Sequence, residues 1–269
     1  MFQDKDSRMN LKLYQVDAFS EKTFGGNPAA VVPLATWLPS DVLQAIAEEN
    51  NLSETAFYVP KEAGYELRWF TPVSEVDLCG HATLAAAHVL FTHENVSGDA
   101  VSFQTRSGEL VVRRSAAGLE MNFPAKVPAP VETPELLVRA LGVRPLETLV
   151  SDDYIAVLEN EESVRSVSPS MSLLGELDLR GVVVTAPGRD ADFVSRFFAP
   201  KLGVPEDPVT GSAHCELAPY WGKRLNLITM RAFQCSRRGG EVRCTLLGDR
   251  VLLAGSAVTF MRAEIYVET

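Results

Sequence analysis

The sequence has little positive charge. It holds 25 Lys and Arg against 35 Asp and Glu in 269 residues, which gives a formal net charge of −10 and a pI near 5.0. Binding to a nucleic-acid backbone needs clustered Lys and Arg to neutralise phosphates. The short pair Arg237-Arg238 does not supply such a cluster, so we expect no nucleic-acid partner.

Long apolar segments are also missing. No run approaches the 18 or so apolar residues of a membrane span, and residues 1–6, MFQDKD, lack the apolar core of a signal peptide. We therefore expect a cytoplasmic protein without a membrane partner.

Cysteine is scarce and widely spaced. The four cysteines form no C-x-x-C pair: Cys79, Cys215, Cys235 and Cys244. In a reducing compartment such spacing argues against a disulfide framework. It also disfavours a zinc site, and we expect no metal.

The sequence repeats a short series of landmarks in its two halves. Phe-Thr-Pro at 70–72 precedes Gly80-His81 and an apolar run, and Ser-Gly-Glu follows at 107–109. About 130 residues later, Phe-Ala-Pro at 198–200 precedes Gly211-Ser212 and another apolar run, and Gly-Gly-Glu follows at 239–241. Two copies are too few for a solenoid, so the spacing predicts two similar domains. Ligands commonly bind in clefts between such halves.

A proline cluster marks the expected boundary between the halves. Prolines at 124, 128, 130 and 134 fall in a stretch that suits neither a helix nor a central strand and predicts a stiff linker. The composition, 46% apolar and 22% charged, is typical of a globular protein, and the length exceeds the usual size of one core. We expect an N-terminal domain at residues 1–124 and a C-terminal domain at 125–269. Whether the last strand of the chain pairs within the N-terminal domain is left open.

Alternating and turn-bounded segments predict strands in both halves. They lie at 11–16, 29–33, 55–59, 66–70, 100–105, 110–114 and 118–123, and then at 155–158, 181–185, 241–246 and 250–253. A helix is expected from Ser40, acting as the N-cap, to about Asn50.

One helix in each half is expected to be surrounded by strands. Residues 80–93 are apolar on nearly every face, and a helix without a polar face must be buried. Residues 213–224 form the equivalent helix, where Pro219 implies a kink or a late start of regular geometry. The expected fold class is α+β, with two pseudo-repeated domains that each curl a sheet or barrel around one central helix.

Six segments in order resemble the PhzF family, the phenazine biosynthesis-like proteins. They are GGNPAAV at 25–31, NLSETAF at 51–57, RWFTP at 68–72, CGHAT at 79–83, EDPVTGSA at 206–213 and QCSRRGG at 234–240. The resemblance runs from about Leu13 to Gly255. It implies a fold similar to that of diaminopimelate epimerase, with the active site between two barrels.

The resemblance implies an isomerase that moves a proton on a small carboxylated metabolite in a biosynthetic process. It implies neither a metal nor an organic cofactor, and it allows a homodimer. Such chemistry needs a base, an acid that returns the proton, and donors that hold the delocalised anion.

The resemblance also assigns roles to individual residues. Glu54 matches the family's catalytic carboxylate, with His81 and Asp207 as its acid and base partners. The residues implied in substrate binding are Asn27, Ser53, Gly80, Gly211 and Ser212. Gly80 and Gly211 lie where a central helix begins, and the free N–H groups of a helix N-terminus suit a carboxylate or enolate oxygen.

These residues also have purely structural interpretations. Ser212 and Thr210 could be helix caps, Asp207 before Pro208 could be a turn residue, and Glu54 could be a solvated carboxylate that closes the turn at Asn51. His81 could be a satisfied polar residue at a helix end. The remaining histidines are expected to be helix or surface residues without chemistry: His88, His93 and His214.

Cys79 separates two mechanisms. The resemblance to diaminopimelate epimerases implies one cysteine before each central helix, the two acting as opposed thiol bases. Cys79 holds the first position, but residues 207–209 contain no cysteine and Cys215 lies about a turn into the second helix. The pattern favours Cys79 as a small buried residue. A thiol-assisted epimerase or racemase using Cys79 is the alternative, and a non-catalytic binding or interaction protein is a second.

Overall fold

A computed structural model describes residues 8–268, which form two compact units. The first unit comprises residues 8–18, Pro28–Arg113 and 257–268, and the second comprises Phe19–Asn27 and Arg114–Ser256. Residues 1–6, which lack a signal-peptide pattern, lie outside the described residues. The domain limits expected at residues 124 and 125 stay a prediction. No helix within residues 8–268 is long and apolar enough to cross a membrane.

The elements up to residue 115 build most of the first unit. They are β1 (Arg8–Ala18), β2 (Asn27–Pro33), α1 (Ser40–Asn50), β3 (Glu54–Lys61), β4 (Gly64–Phe70), β5 (Glu75–Val76), α2 (Gly80–Thr92), β6 (Ala100–Thr105) and β7 (Gly108–Ser115).

The second unit contains ten strands and four α-helices among its described residues. They are β8 (Gly118–Pro124), β9 (Ala129–Pro130), α3 (Glu135–Leu141), β10 (Glu147–Val150), β11 (Tyr154–Val157), α4 (Glu161–Ser166), α5 (Met171–Gly175), β12 (Val182–Pro187), β13 (Phe193–Ala199), β14 (Val204–Asp207), α6 (Gly211–Leu225), β15 (Thr229–Gln234), β16 (Gly240–Leu247) and β17 (Arg250–Gly255). A 3₁₀ turn spans Pro200–Leu202. The last strand, β18 (Ala257–Glu268), pairs antiparallel with β1 in the first unit.

Strand pairing follows the same succession in both units. In the first, β2 is parallel to β3, β3 antiparallel to β4, β4 parallel to β6, and β6 antiparallel to β7. In the second, the strands β11, β12, β13, β15 and β16 show the same order of parallel and antiparallel pairs. The central helices α2 and α6 occupy equivalent places in the chain, directly before β6 and β15. The internal repeat seen in the sequence is thus a repeat of topology.

Helix α2 is buried as its composition predicts. Every residue from His81 to Phe91 except His88 is buried, and the helix packs against β1, β3 and β18. Helix α6 packs in the same way against β15, β16 and β17. Each unit is therefore a mixed sheet around one central helix.

Further helices cover the outer faces of the sheets. In the first unit, Leu43 of α1 joins a core cluster with Val32 and Phe57. In the second unit, Val194 of β13 packs in the cluster that contains α3, α4 and α5, whereas the adjacent Phe193 stacks on Trp221 of α6 with ring centroids 5.7 Å apart. Since neighbouring strand residues point to opposite faces, α6 and the three short helices lie on opposite sides of this sheet.

One local prediction was wrong and one is narrowed. Ser40 is the first residue of α1 rather than its N-cap, and its hydroxyl accepts a hydrogen bond from Nη2 of Arg68 at 3.0 Å. Helix α6 starts at Gly211 and continues through Pro219, so of the two expected effects of Pro219 the late start does not occur and the kink stays a prediction. Pro219 lacks the N–H that would reach the carbonyl of Cys215, and that carbonyl accepts the backbone N–H of Lys126 at 3.0 Å instead. The hydrogen bond lost inside the helix is replaced from outside it.

Candidate active site

Glu54, His81 and Cys79 form a contact group in the first unit. Glu54 is the first residue of β3, and His81 is the second residue of α2. Nε2 of His81 lies 3.0 Å from Oε2 of Glu54, and Nδ1 of His81 lies 3.5 Å from Sγ of Cys79. The Glu54 side chain keeps 17% of its surface exposed and that of His81 7%. A ligand can therefore reach the carboxylate while the imidazole stays behind it.

The residues of this group differ in charge: His81 is protonated and the Cys79 thiol is neutral. Burial by itself would lower the pKa of His81, but the neighbouring Cys79 and Glu54 raise that pKa well above its ordinary value of 6.5. Burial and the nearby Glu54 both raise the pKa of the Cys79 thiol. The thiol is therefore neutral at neutral pH, so the Glu54 carboxylate is the partner that stabilises an imidazolium at His81.

The start of α2 lies beside this group. Cys79 precedes the helix in an extended conformation, and its side chain makes no capping hydrogen bond. The first backbone N–H groups of a helix have no partner within the helix, and they carry about half a positive charge. Gly80 at this position adds no side chain, so an anion can approach the backbone closely.

The same three side chains could hold a metal ion by their chemistry. One donor atom from each of Glu54, Cys79 and His81 can be chosen so that all lie within 4.8 Å of one another. However, the two ring nitrogens of His81 face different partners, and an imidazole must lose its charge before it can ligate a metal. The arrangement suits proton exchange between the three groups better than convergence on one ion.

Asp207 is the centre of a hydrogen-bond network in the second unit. Its Oδ1 accepts from Nδ2 of Asn27 at 2.8 Å, and its Oδ2 accepts from the hydroxyl of Thr210. Gln234 joins the loop to the sheet, since its amide accepts from the N–H of Thr210 at 2.9 Å and donates to the carbonyl of Asp207 at 2.8 Å. Asn27 is fully buried. The network fixes Asp207 at the end of β14, on the short loop that leads into α6.

The start of α6 resembles that of α2. Thr210 is the N-cap, but its hydroxyl bonds to Asp207 and makes no capping hydrogen bond. Ser212 lies inside the helix, and its hydroxyl accepts from Nη2 of Arg180 at 3.1 Å. Neither hydroxyl therefore serves as a cap, contrary to the structural interpretation of the sequence, and Gly211 leaves the first turn open.

The other predicted residues lie apart from these contacts. Ser53 directly precedes Glu54, just before β3. Nε2 of His88 and Nε2 of His93 both bond to the hydroxyl of Thr259, at 2.9 and 2.7 Å. His214 is fully buried, its Nδ1 bonds to the carbonyl of Thr210 at 2.8 Å, and burial lowers its pKa to about 4. His214 is thus an internal residue rather than a surface residue.

The structure adds residues that the sequence analysis did not single out. Gln234 stands inside the QCSRRGG segment, which could have pointed to it. Arg180 and Asp153 belong to no segment of the resemblance, and they meet Ser212 only through the fold. One feature could have pointed to Glu216: it is a charged residue in α6, four positions after Ser212, and its neighbours in that helix are buried.

Comparison with known proteins identifies the class of this chain. The family model for phenazine biosynthesis-like proteins matches residues 16–263. An uncharacterized isomerase of Pseudomonas aeruginosa is 51% identical over 96% of this chain and 100% of its own length. The crystal structure of a PhzF-family protein of Enterococcus faecalis matches with a TM-score of 0.95 and 48% identity, over 96% of this chain and all of that one.

A more distant structure shares the fold alone. The hydroxyproline epimerase of Agrobacterium vitis, at 11% identity, matches with a TM-score of 0.63 over 97% of this chain and 93% of its own. The predicted epimerase-like α+β fold is thereby confirmed.

The chain belongs to the phenazine biosynthesis-like family, as the six sequence segments indicated. By that membership it is an enzyme of the isomerase class.

Proposed function

We propose that the protein is a cofactor-independent isomerase that moves a proton on a small carboxylated metabolite. The single observation that carries the proposal is the 3.0 Å contact between Glu54 and His81, in which the carboxylate is still partly exposed. A base needs access to the substrate and a partner that stabilises its charge, and this pair supplies both. The interdomain position expected for the site stays a prediction.

The proposed reaction has two proton transfers. Glu54 takes a proton from carbon, which leaves a delocalised anion on the carboxylated substrate. An acid then returns a proton to a different carbon, so the atoms of substrate and product balance. The raised pKa of His81 makes it an imidazolium that can donate a proton to Glu54 and, once it is the neutral imidazole, take one back. Asp207, held by Asn27 and Thr210, is proposed as a further partner.

Substrate binding is proposed at the starts of the central helices. Gly80 in the first unit, and Gly211 and Ser212 in the second, offer backbone N–H groups or a hydroxyl at helix N-termini without side-chain caps. Such groups bind carboxylates and enolates. Asn27 and Ser53 remain predicted binding residues, although the buried position of Asn27 suits it better to positioning Asp207.

Two alternatives receive less support. A thiol mechanism needs Cys79 as a thiolate, and burial together with Glu54 raises the pKa of that thiol. A non-catalytic binding protein would have no need of a carboxylate against an imidazole. Cytoplasmic location, a homodimer, and the absence of nucleic-acid, membrane, metal and cofactor partners complete the proposal as predictions.

The test is uptake of solvent deuterium. Wild-type protein in D₂O is incubated with a panel of small carboxylic acids whose carbon-bound hydrogens lie next to a carboxylate or a double bond. Deuterium is then located by NMR. We expect at least one acid to be labelled at a single carbon without any added metal or organic cofactor. A panel that stays unlabelled, while it includes acids that bind the protein, would contradict the proposal.

Replacement of Cys79 by Ala is expected to keep most of the exchange activity. Its thiol is neutral and buried, so its loss removes packing and the 3.5 Å contact with Nδ1 of His81 rather than a base. The measurement is the initial rate of deuterium uptake, with Cys244→Ala, another buried thiol, as the matched control. A loss of about 100-fold or more in Cys79→Ala alone would favour the thiol-assisted epimerase.

A further inference from the structure

A buried ionic group lies directly behind Ser212 in the second unit. Nε and Nη2 of Arg180 bond to the two oxygens of Asp153 at 3.0 and 2.7 Å, and Nη2 also bonds to the Ser212 hydroxyl at 3.1 Å. The Asp153 side chain is fully buried, whereas 35% of the Arg180 side chain is exposed. A buried carboxylate thus fixes one edge of the guanidinium, and another part reaches the surface.

Arg180 has donors left for an outside ligand. Among residues 8–268, no acceptor contacts its Nη1 group, although an arginine offers five N–H donors in a planar fork. The same guanidinium donates to the oxygen of Ser212, so the hydroxyl hydrogen of Ser212 is directed elsewhere. A carboxylate at this place would therefore meet the two N–H groups of the charged guanidinium at Nη1, a hydroxyl donor and the first N–H groups of α6.

Glu216 gives a second indication that the place beside Arg180 and Ser212 accepts an anion. It is fully buried, Oε1 lies 3.9 Å from Nη2 of Arg180, and its carboxyl group is within hydrogen-bonding reach of Asp153. Four positions along the helix from Ser212, it leans toward the helix start. Burial, with help from Asp153 and Asp152, raises its pKa to about 8, so it is neutral at pH 7. With Glu216 neutral, the charge of Arg180 is balanced by Asp153 and the nearby Asp152, and Glu216 does not repel an anion.

We infer that Arg180 and Ser212 together bind the carboxylate of the ligand, with Asp153 holding Arg180 in place. The inference rests on the proposed function in one respect, since Ser212 is the substrate-binding residue to which Arg180 is joined. It adds a charged contact that none of the six sequence segments contains. It predicts in addition that a neutral amide of the same shape does not bind here.

Benzoate and benzamide are suitable probes because they have the same shape and differ in charge. Binding is measured by isothermal titration calorimetry at pH 7 with the full chain. We expect wild type to bind benzoate and not benzamide. Arg180→Gln and Ser212→Ala should each weaken benzoate binding, the former by about 10- to 100-fold, as expected for a lost charge-assisted hydrogen bond. Arg180→Lys should fall between, since it keeps the charge without the fork.

The controls separate binding from folding. Arg189→Gln removes an exposed arginine of the same unit, paired with Glu162, and should leave benzoate binding unchanged. Arg180→Gln leaves the buried Asp153 carboxylate without its counter-charge and can therefore prevent folding. If it does, benzoate binding is measured on the double variant Asp153→Asn/Arg180→Gln, which has no unpaired charge at this place. Each of the two variants that folds should bind benzoate about 10- to 100-fold more weakly than wild type.

The inference is overturned if wild type binds benzamide as well as benzoate, or binds neither. It is also overturned if Arg180→Gln or the double variant keeps wild-type affinity for benzoate. Benzoate binding should depend on Arg180 in Glu54→Gln just as it does in wild type, which distinguishes this inference from the proposed function. Benzoate binding that depends on Arg180, without any deuterium exchange, would refute the proposed proton transfer and support this carboxylate site. Deuterium exchange together with benzoate binding that does not depend on Arg180 would support the proton transfer and refute this site.

Discussion

Replacement of Glu54 by Gln is expected to reduce deuterium exchange by about 100- to 10,000-fold, the usual cost of losing a general base. Gln keeps the shape of the side chain and can still bond to His81, but it cannot take a proton from carbon. The carboxylate lies 3.0 Å from the imidazole and is 17% exposed, so the change removes charge at the reactive position and little packing. The rate is measured on whichever acid the wild type labels.

Glu75→Gln is the matched control for this result. Glu75 is a carboxylate of similar exposure in the same unit, and it is paired with Arg68 at 2.7 Å rather than with a histidine. Its loss should cost stability without a large effect on exchange. Equal losses of activity in the two variants would mean that a structural ion pair, and not a base, had been removed. Circular dichroism of each variant establishes that the fold is kept.

Replacement of Glu216 by Gln is expected to stabilise the protein by about 2 to 3 kcal/mol at pH 7. The folded protein keeps a proton on Glu216 up to about pH 8, because burial, Asp153 and Asp152 raise its pKa, whereas the unfolded chain releases that proton near pH 4.5. Although Arg180 lies 3.9 Å away, its guanidinium is already bound by Asp153, so burial dominates. Gln is neutral at every pH and avoids this cost.

The pH dependence of the free energy of unfolding shows whether the raised pKa of Glu216 causes this stabilisation. Between about pH 4.5 and 8 the folded state binds one more proton at Glu216 than the unfolded state, so the free energy of unfolding falls as the pH rises. Urea denaturation at pH 5, 6, 7 and 8 should show this fall in wild type and a smaller one in Glu216→Gln. Glu206→Gln, which breaks the ion pair with Arg196, should lose stability instead. Parallel wild-type and Glu216→Gln curves would refute the raised pKa.

The parts of the fold that sequence analysis predicted are those with strong local patterns. Helix α2 is apolar on all sides, which requires it to be central, and β1 alternates along its predicted length. The short helices α3, α4 and α5 were missed because seven, six and five residues are too few to show a helical period. Ser40 was taken for a cap because its competing partner, Arg68, comes from a strand 28 residues away.

In the candidate site, too, the sequence predicted individual residues better than the contacts between them. Glu54 and His81 are 27 positions apart, and only the family resemblance connected them before the structure placed them in contact. Arg180 could not be connected to Ser212 at all, since the contact depends on how the chain before β12 packs against the start of α6. Cys79 was correctly expected to be buried. Its contact with Nδ1 of His81 depends on the backbone conformation at the helix start, which no sequence pattern specifies.

Glu54 and His81 are proposed to act as one carboxylate–imidazolium pair that exchanges a proton, and ¹⁵N NMR of the histidine side chains at pH 7 shows whether His81 carries that charge. Burial lowers the pKa values of His88, His93 and His214, so these rings should be neutral. His81 should be the one imidazolium in wild type, protonated on both nitrogens, and in Glu54→Gln burial should prevail and its charge should disappear. A neutral His81 in wild type, or one whose charge survives the loss of Glu54, would show that the two residues do not form this pair.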